Sequence, residues 1–125
     1  MKIILDTSFI LSCVKEKADF LDSEKHGNLV IPKQVIKELE KISKEGEREE
    51  KENSCLALQI IEKHKEKFDI LCLKKNNVDL GIIEYAQGKN DIAVATIDKE
   101  LKRKLKGKAG IITLRKRKRI VVINP

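Results

Sequence analysis

The 125-residue sequence predicts one domain, residues 1–125, of the α/β class, with three layers (α/β/α) around a central, mainly parallel sheet of five strands. Two observations favour this class. Aliphatic runs such as Ile3-Ile4-Leu5 and Ile92-Ala93-Val94-Ala95 lack alternating polar residues, which is typical of strands buried on both faces. Segments with apolar residues at helical spacing separate these runs, and strands that alternate with helices build parallel sheets through right-handed crossovers.

The strands are predicted where a short aliphatic run is bounded by turn residues or by charge. In chain order they cover residues 3–5, 29–31, 69–73, 91–96 and 110–114, and residues 120–123 form a last strand at the edge of the sheet. Residues 115–119 are predicted to be a polar link.

The helices are predicted from their caps and from apolar spacing. Thr7 and Ser8 are good caps for the first helix, Pro32 fits the first turn of the third, and Gly88 closes the fifth. The remaining helices cover residues 15–26, 55 to about 67, and 99–106. Residues 43–53 contain no apolar side chain, which predicts a solvated helix end and a mobile loop broken at Gly46.

Composition excludes several classes of protein. Cys13, Cys55 and Cys72 form no CxxC pair, so neither a disulfide framework nor a zinc site is expected, and all three are predicted to be small core residues. Aromatic residues make up only 3% of the chain, and Tyr85 is predicted to lie in the core, which leaves little for base stacking. No apolar run approaches the roughly 20 residues of a membrane span, and no signal peptide is visible. We therefore expect a cytoplasmic protein without a membrane partner.

The positive charge is concentrated near the end of the chain. Eleven basic residues and one acid, Glu100, lie between residues 99 and 119, whereas the net charge of the whole chain is +7. Such a face suits a polyanion, although a solvated, Lys-rich surface of the kind that thermophile proteins carry remains the alternative. The residues predicted to hold the backbone of a nucleic acid by charge are Lys99, Lys102, Arg103, Lys106, Arg115, Arg117 and Arg119.

Four acids stand at element boundaries or border the core. Asp6 follows the first strand, Glu38 borders the apolar face of the helix after the second, Asp79 opens a helix, and Asp98 follows the fourth strand. If the first and fourth strands are neighbours, Asp6 and Asp98 meet at one edge of the sheet, where like charges repel unless a proton or a cation intervenes. Mg²⁺ or Mn²⁺ prefers such oxygen ligands. A plain explanation stays open for each acid: an Asx turn at Asp6, N-caps at Asp79 and Asp98, and a surface position for Glu38.

Four blocks of the sequence, in order and spacing, resemble the PIN domain nucleases. They are Leu5-Asp6-Thr7-Ser8-Phe9, residues 31–39 with Glu38, Asp79 with residues 82–86, and residues 94–101 with Asp98. The resemblance covers nearly the whole chain and is closest to the stand-alone archaeal type, which is similar to the nucleases that process ribosomal RNA. One departure concerns activity: the position before Asp98, often Asn in this block, is Ile97.

The resemblance implies a metal-dependent endoribonuclease that hydrolyses RNA phosphodiester bonds with Mg²⁺ or Mn²⁺, in ribosomal RNA processing. It implies that Asp6, Glu38, Asp79 and Asp98 form the metal pocket, assisted by the hydroxyls of Ser8 and Thr96. The protein partners that it allows are a second copy of the chain, a ribosome-assembly factor or an antitoxin.

Three other functions were weighed. The first is the toxin ribonuclease of a toxin–antitoxin pair, and the second is a PIN-like module that binds RNA without cutting it, which Ile97 favours. The third is an unrelated doubly wound domain such as a receiver. A receiver needs a phosphoacceptor Asp after the third strand, where this chain has Leu73-Lys74-Lys75, and no Gly-rich phosphate loop follows any strand.

Overall fold

The computed structural model describes residues 1–115 and 119–123, and these residues show the predicted alternation of strands and helices. The strands are β1 (Lys2–Leu5), β2 (Asn28–Pro32), β3 (Phe68–Leu71), β4 (Ile92–Ala95), β5 (Gly110–Arg115) and β6 (Arg119–Ile123). The α-helices are α1 (Thr7–Lys15), α2 (Lys33–Glu45), α3 (Arg48–Lys63), α4 (Val78–Ala86) and α5 (Lys99–Leu105). Two 3-10 helices, Phe20–His26 and Lys65–Lys67, follow α1 and α3.

The sheet has the strand order β3-β2-β1-β4-β5-β6, which confirms the three-layer α/β class. The first five strands are parallel, and β6 runs antiparallel to β5. The described sheet therefore has six strands: the predicted five and the last strand, which the sequence also indicated at the edge of the sheet. The last strand belongs to it because Ile120 and Val122 pack against the core while their backbone pairs with β5.

The strand order places β1 next to β4, and this pairing is what positions the candidate site. Leu5 and Ala95 are register partners at the carboxyl ends of the two strands. After β1 the chain adds β2 and β3 on one side, and it then returns to add β4 and β5 on the other. A sheet of this kind has its crevice at the point where the order reverses, outside the carboxyl ends of the strands.

The core around β1 is aliphatic, as the sequence predicts. Ile3, Ile4 and Leu5 are almost completely buried and share one cluster with Phe9 and Val94. Each fully buried aliphatic or aromatic side chain contributes about 1.5–3 kcal/mol. The strand is therefore a firm support for whatever follows Leu5.

The segment predicted as a helix over residues 15–26 is divided in the structure. Helix α1 continues to Lys15, and Lys17 then adopts a positive φ of 60°, which ends the helix. The chain restarts as the 3-10 helix Phe20–His26, whose cap is the side chain of Asp19 accepting a hydrogen bond from the Leu21 amide. Phe20 explains the early restart, because it is fully buried against Phe68 of β3.

The prediction of a mobile loop over residues 43–53 is wrong. Only Gly46 and Glu47 separate α2 from α3, and the charged residues from Arg48 onward are helical. Glu49 lies in the first turn of α3, where its negative charge interacts favourably with the helix dipole and stabilises the helix. Farther along, Ala57 and Ile61 bury one face of the helix against the core, so a charged start is held in place by an apolar end.

The prediction that all three cysteines are core residues holds only for Cys13. Burial raises the pKa of the Cys13 thiol to about 12, whereas Cys55 and Cys72 are exposed. Cys55 lies on the outward side of α3, next to the buried Ser54. Cys72 lies beyond β3, which ends at Leu71 and not at residue 73 as predicted. β3 is an edge strand, so apolar residues near its end are not covered on both sides.

Among the described residues, no helix has both the length and the apolar character needed to cross a membrane.

Candidate active site

Asp6 stands directly after β1, and its side chain is held by two hydroxyls. Its Oδ2 atom accepts hydrogen bonds from Ser8 Oγ and Thr96 Oγ1, each at 2.8 Å, and the residue is only 4% exposed. Asp6 occupies the N-cap position of α1 but makes no side-chain cap bond. The carboxylate therefore faces the edge of the sheet.

Thr96 links the ends of β1 and β4. Its backbone amide continues the sheet by donating to the carbonyl of Ile112, and its hydroxyl accepts a hydrogen bond from the Asp98 amide at 3.1 Å. The Ile97 amide in turn donates to Ser8 Oγ at 3.3 Å. Ser8 and Thr96, which were predicted to assist through their hydroxyls, thus orient Asp6 and shape the loop that carries Asp98.

Asp98 has a structural contact as well as a place at the site. Its Oδ1 atom accepts hydrogen bonds from the amides of Glu100 and Leu101, at 2.9 and 3.1 Å, and so caps α5. The sequence left an N-cap open for this residue, and the cap is present. In these cap bonds only Oδ1 is used, and the residue lies at the same sheet edge as Asp6.

Glu38 and Asp79 reach the same edge from two helices. Glu38 lies on α2, and its Oε1 atom accepts a hydrogen bond of 2.5 Å from Thr7 Oγ1. Asp79 is the second residue of α4, whose cap is Asn77 and not Asp79. Thr7 was predicted only as a helix cap. Its bond to Glu38 spans 31 positions, and nothing in the local pattern indicates it.

The electrostatics show that the four acids share one region. The pKa of Asp6 is raised, first by burial and also by repulsion from Asp98, while the hydroxyls of Thr96 and Ser8 oppose the rise. The pKa of Asp79 is raised too, first by loss of solvent and then by repulsion from Asp6, Asp98 and Glu38, with Lys104 opposing it. Among the described residues, no Lys or Arg forms a salt bridge with any of the four.

The oxygen-only donor set fits a hard divalent cation, but the acids are not drawn together around one point. Within residues 1–115 and 119–123, no group of three or more His, Cys, Asp or Glu side chains is positioned to hold a metal ion. A cation at this edge would therefore have at most two of these carboxylates as direct ligands. Mg²⁺ commonly binds through one or two carboxylates and keeps several waters, which is compatible with such spacing.

Comparison with known proteins identifies the family. The family model described as "PIN like domain" matches residues 3–117. This chain belongs to the PIN-like domain family. A curated relative, "Ribonuclease VapC4" of Methanocaldococcus jannaschii, is 34% identical over 111 residues, which cover 83% of this chain and 82% of the relative. A solved structure titled "Structure of the PIN domain endonuclease Utp24" is similar with a TM-score of 0.79 and 26% identity, covering 99% of this chain and 92% of that one.

The basic residues of this PIN-like domain fall into different surroundings. Lys99, Lys102 and Arg103 lie on α5, and Lys106 directly follows that helix. Arg115 ends β5, and Arg119 begins β6. Arg117 was also predicted to bind RNA, but it lies outside the described residues. Arg103 is engaged within the chain, because its guanidinium forms an ion pair with Glu100.

A cleft of about 490 Å³ lies at the amino edge of the sheet, opposite the candidate site, where Met1, Lys2, Tyr85 and Asp91 contribute to its wall. The prediction of a core position for Tyr85 holds only in part: the side chain packs against the core but is half-buried, and the Lys89 ammonium lies 4.1 Å from the ring centroid. Asp91 also lies at the amino edge, where it pairs with the Met1 ammonium at 3.2 Å.

Proposed function

We propose that this PIN-like domain is a metal-dependent ribonuclease that hydrolyses RNA phosphodiester bonds at the carboxyl edge of β1 and β4. The observation that carries the proposal is the pairing of these two strands. It brings Asp6 and Asp98 to one crevice together with Glu38 and Asp79. The family and the names of the two relatives, a ribonuclease and an endonuclease, support cleavage of a nucleic acid.

The residues divide into those that would hold a cation and those that orient them. Asp6 and Asp98 would hold Mg²⁺ or Mn²⁺ directly, and Glu38 and Asp79 would contact it through water, because no three acids are positioned around one point. Such an ion, when bound, activates a water and stabilises negative charge on the phosphate. Ser8 and Thr96 keep Oδ2 of Asp6 fixed, so the carboxylate would need little rearrangement.

The direct test is cleavage of single-stranded and structured RNA in the presence of Mn²⁺. We expect Asp6→Asn and Asp98→Asn to lower the rate by about 100-fold or more, because metal stabilisation of the phosphate is worth several kcal/mol. Asp91→Asn is the matched control. It removes the same charge at the opposite edge, and Asn tolerates the positive φ of 65° found there. Equal rates for the wild type and all three variants would rule the proposal out.

Three outcomes separate the functions that the sequence left open. A wild type that binds RNA but never cuts it, with or without Mn²⁺, would instead be the non-cleaving module. Cleavage restricted to ribosomal RNA, with co-sedimentation on ribosomes, would favour the processing role. Cleavage suppressed by a partner protein from a neighbouring gene would favour the toxin role.

A further inference from the structure

Helix α5 presents two different flanks to solvent. Leu101 and Leu105 are buried and define its inner face. With 3.6 residues per turn, Lys99 and Lys102 fall on one flank, and Glu100 and Lys104 fall on the other. The ion pairs agree with this geometry, because both Lys104 and Arg103 contact Glu100. The cations next to Glu100 therefore have an acidic partner within the helix.

The cations on the other flank are not balanced. Lys102 is half-buried, and after burial it is repulsion from Arg115 and Lys99 that lowers its pKa, so the three charges are crowded. Arg119 lies next to Arg115, because the two are register partners at the end of the β5–β6 pair, and it also lines a cleft with Asp19 and Asp22. Among the described residues, no acid forms a salt bridge with any of these four cations.

These four cations lie at the same edge of the sheet as the acids, one strand farther along. Ala95 and Ile112 are register partners in β4 and β5. Asp98 lies three residues beyond Ala95, and Arg115 lies three residues beyond Ile112. Neighbouring strands are about 4.8 Å apart. The unbalanced positive charge thus borders the acidic crevice on its β5 side.

We propose that Lys99, Lys102, Arg115 and Arg119 form a docking strip for the sugar-phosphate backbone of an RNA strand that enters the acidic crevice. The identity of the polymer rests on the proposed function. The RNA strand leaves the crevice across β5, because on the α4 side of α5 it would meet Glu100. Arg103 is not part of the strip, because Glu100 engages it. Lys106 is not part of the strip either, because it lies seven residues beyond Lys99, about 10 Å farther in the direction of the helix axis.

The test measures binding of a short, labelled oligouridylate by fluorescence anisotropy over a range of salt concentrations, with EDTA present so that nothing is cut. Each phosphate contact on a single strand contributes about 0.7 to the slope of log affinity against log salt. We expect the double variant Lys102→Gln/Arg115→Gln to lower this slope by about 1.4. The matched control Lys104→Gln/Lys108→Gln removes the same charge from exposed positions of the same region, outside the strip, and should leave the slope unchanged.

An equal loss in the two double variants would overturn the strip, since binding would then depend on total charge alone. No loss in Lys102→Gln/Arg115→Gln would overturn it as well. Because the assay contains no metal, its failure differs from failure of the proposed function. If the wild type never cuts RNA, but RNA binding falls in the strip variant and not in the control variant, the docking strip stands and the proposed nuclease function is rejected. Circular dichroism of both variants checks the fold. We expect it to be intact, because the substituted side chains are exposed or half-buried.

Discussion

The two edges of the sheet treat charge in opposite ways. At the amino edge the charges find partners within the chain: the Met1 ammonium pairs with Asp91, and the Lys89 ammonium lies over the ring of Tyr85. At the carboxyl edge, Asp6 is buried, its side chain accepts hydrogen bonds from the hydroxyls of Ser8 and Thr96, and Asp98 repels it. The fold therefore pairs the charges of one edge by itself, whereas at the other edge the proposed cation would compensate them.

The largest expected effect on stability concerns the hydroxyl groups that donate hydrogen bonds to the Asp6 carboxylate at the carboxyl edge. Thr96→Val keeps the shape of a fully buried residue but removes a donor to the Asp6 carboxylate. We expect a loss of about 1.5–3 kcal/mol in the free energy of unfolding, because a buried charged group loses a hydrogen bond. Urea denaturation measures it.

The control for this change is another buried threonine, in the neighbouring strand β5. The Thr113 hydroxyl has no hydrogen-bond partner among the described residues. Thr113→Val should therefore be nearly neutral or slightly stabilising. Equal losses at Thr96 and Thr113 would contradict the role given to the hydroxyl at the site.

The next effect separates charge from capping at Asp98. Asp98→Ala loses the cap of α5 and should cost about 1 kcal/mol, whereas Asn is itself a good N-cap residue. Asp98→Asn should instead raise the melting temperature of the metal-free protein at neutral pH, because one of the mutually repelling charges is gone. A lower melting temperature for Asp98→Asn would mean that the charged carboxylate stabilises the fold.

The smallest effect is a pH dependence, since the hydroxyls of Ser8 and Thr96 offset part of the cost of burying Asp6. The folded protein raises the pKa of Asp6, so it binds this proton more tightly than the unfolded chain does. Stability from this group must therefore fall as pH rises from the ordinary carboxyl range, about 4, through the raised folded value. Urea unfolding of metal-free protein should show a shallower fall in Asp6→Asn than in wild type. An unchanged slope would contradict the shift, and Asp91→Asn controls for loss of any one acid.

The parts of the site that depend on local pattern could be predicted from the sequence. An aliphatic run that ends in Asp predicts where the Asp6 carboxylate lies, because burial of the strand forces it to the end of the strand. The same reasoning applies to Asp98 after β4. Their proximity also required the pairing of β1 with β4, which the sequence raised only as a condition. The prediction of Thr7 and Ser8 as caps is wrong, because Asp6 occupies the N-cap position and both residues lie within α1.

The parts that depend on tertiary contact could not be predicted. Helix α3 begins at Arg48 because the later part of this helix packs on α1 and α2. The run of charged residues at its start gives no sign of that packing. The bond between Thr7 and Glu38 joins two helices and leaves no periodic trace. The difference between Arg103 and Lys102 likewise follows from the direction in which Glu100 points.

A Mn²⁺ titration of thermal unfolding, with wild type, Asp6→Asn, Asp98→Asn and Asp91→Asn compared, shows whether a cation binds at the carboxyl edge. We expect Mn²⁺ to stabilise wild type and Asp91→Asn alike, by about 2.7 kcal/mol at 100 times the dissociation constant. We expect this stabilisation to be largely lost in Asp6→Asn and Asp98→Asn. Equal stabilisation of all four proteins, or none in any of them, would contradict the proposal that a cation compensates the charges of the carboxyl edge.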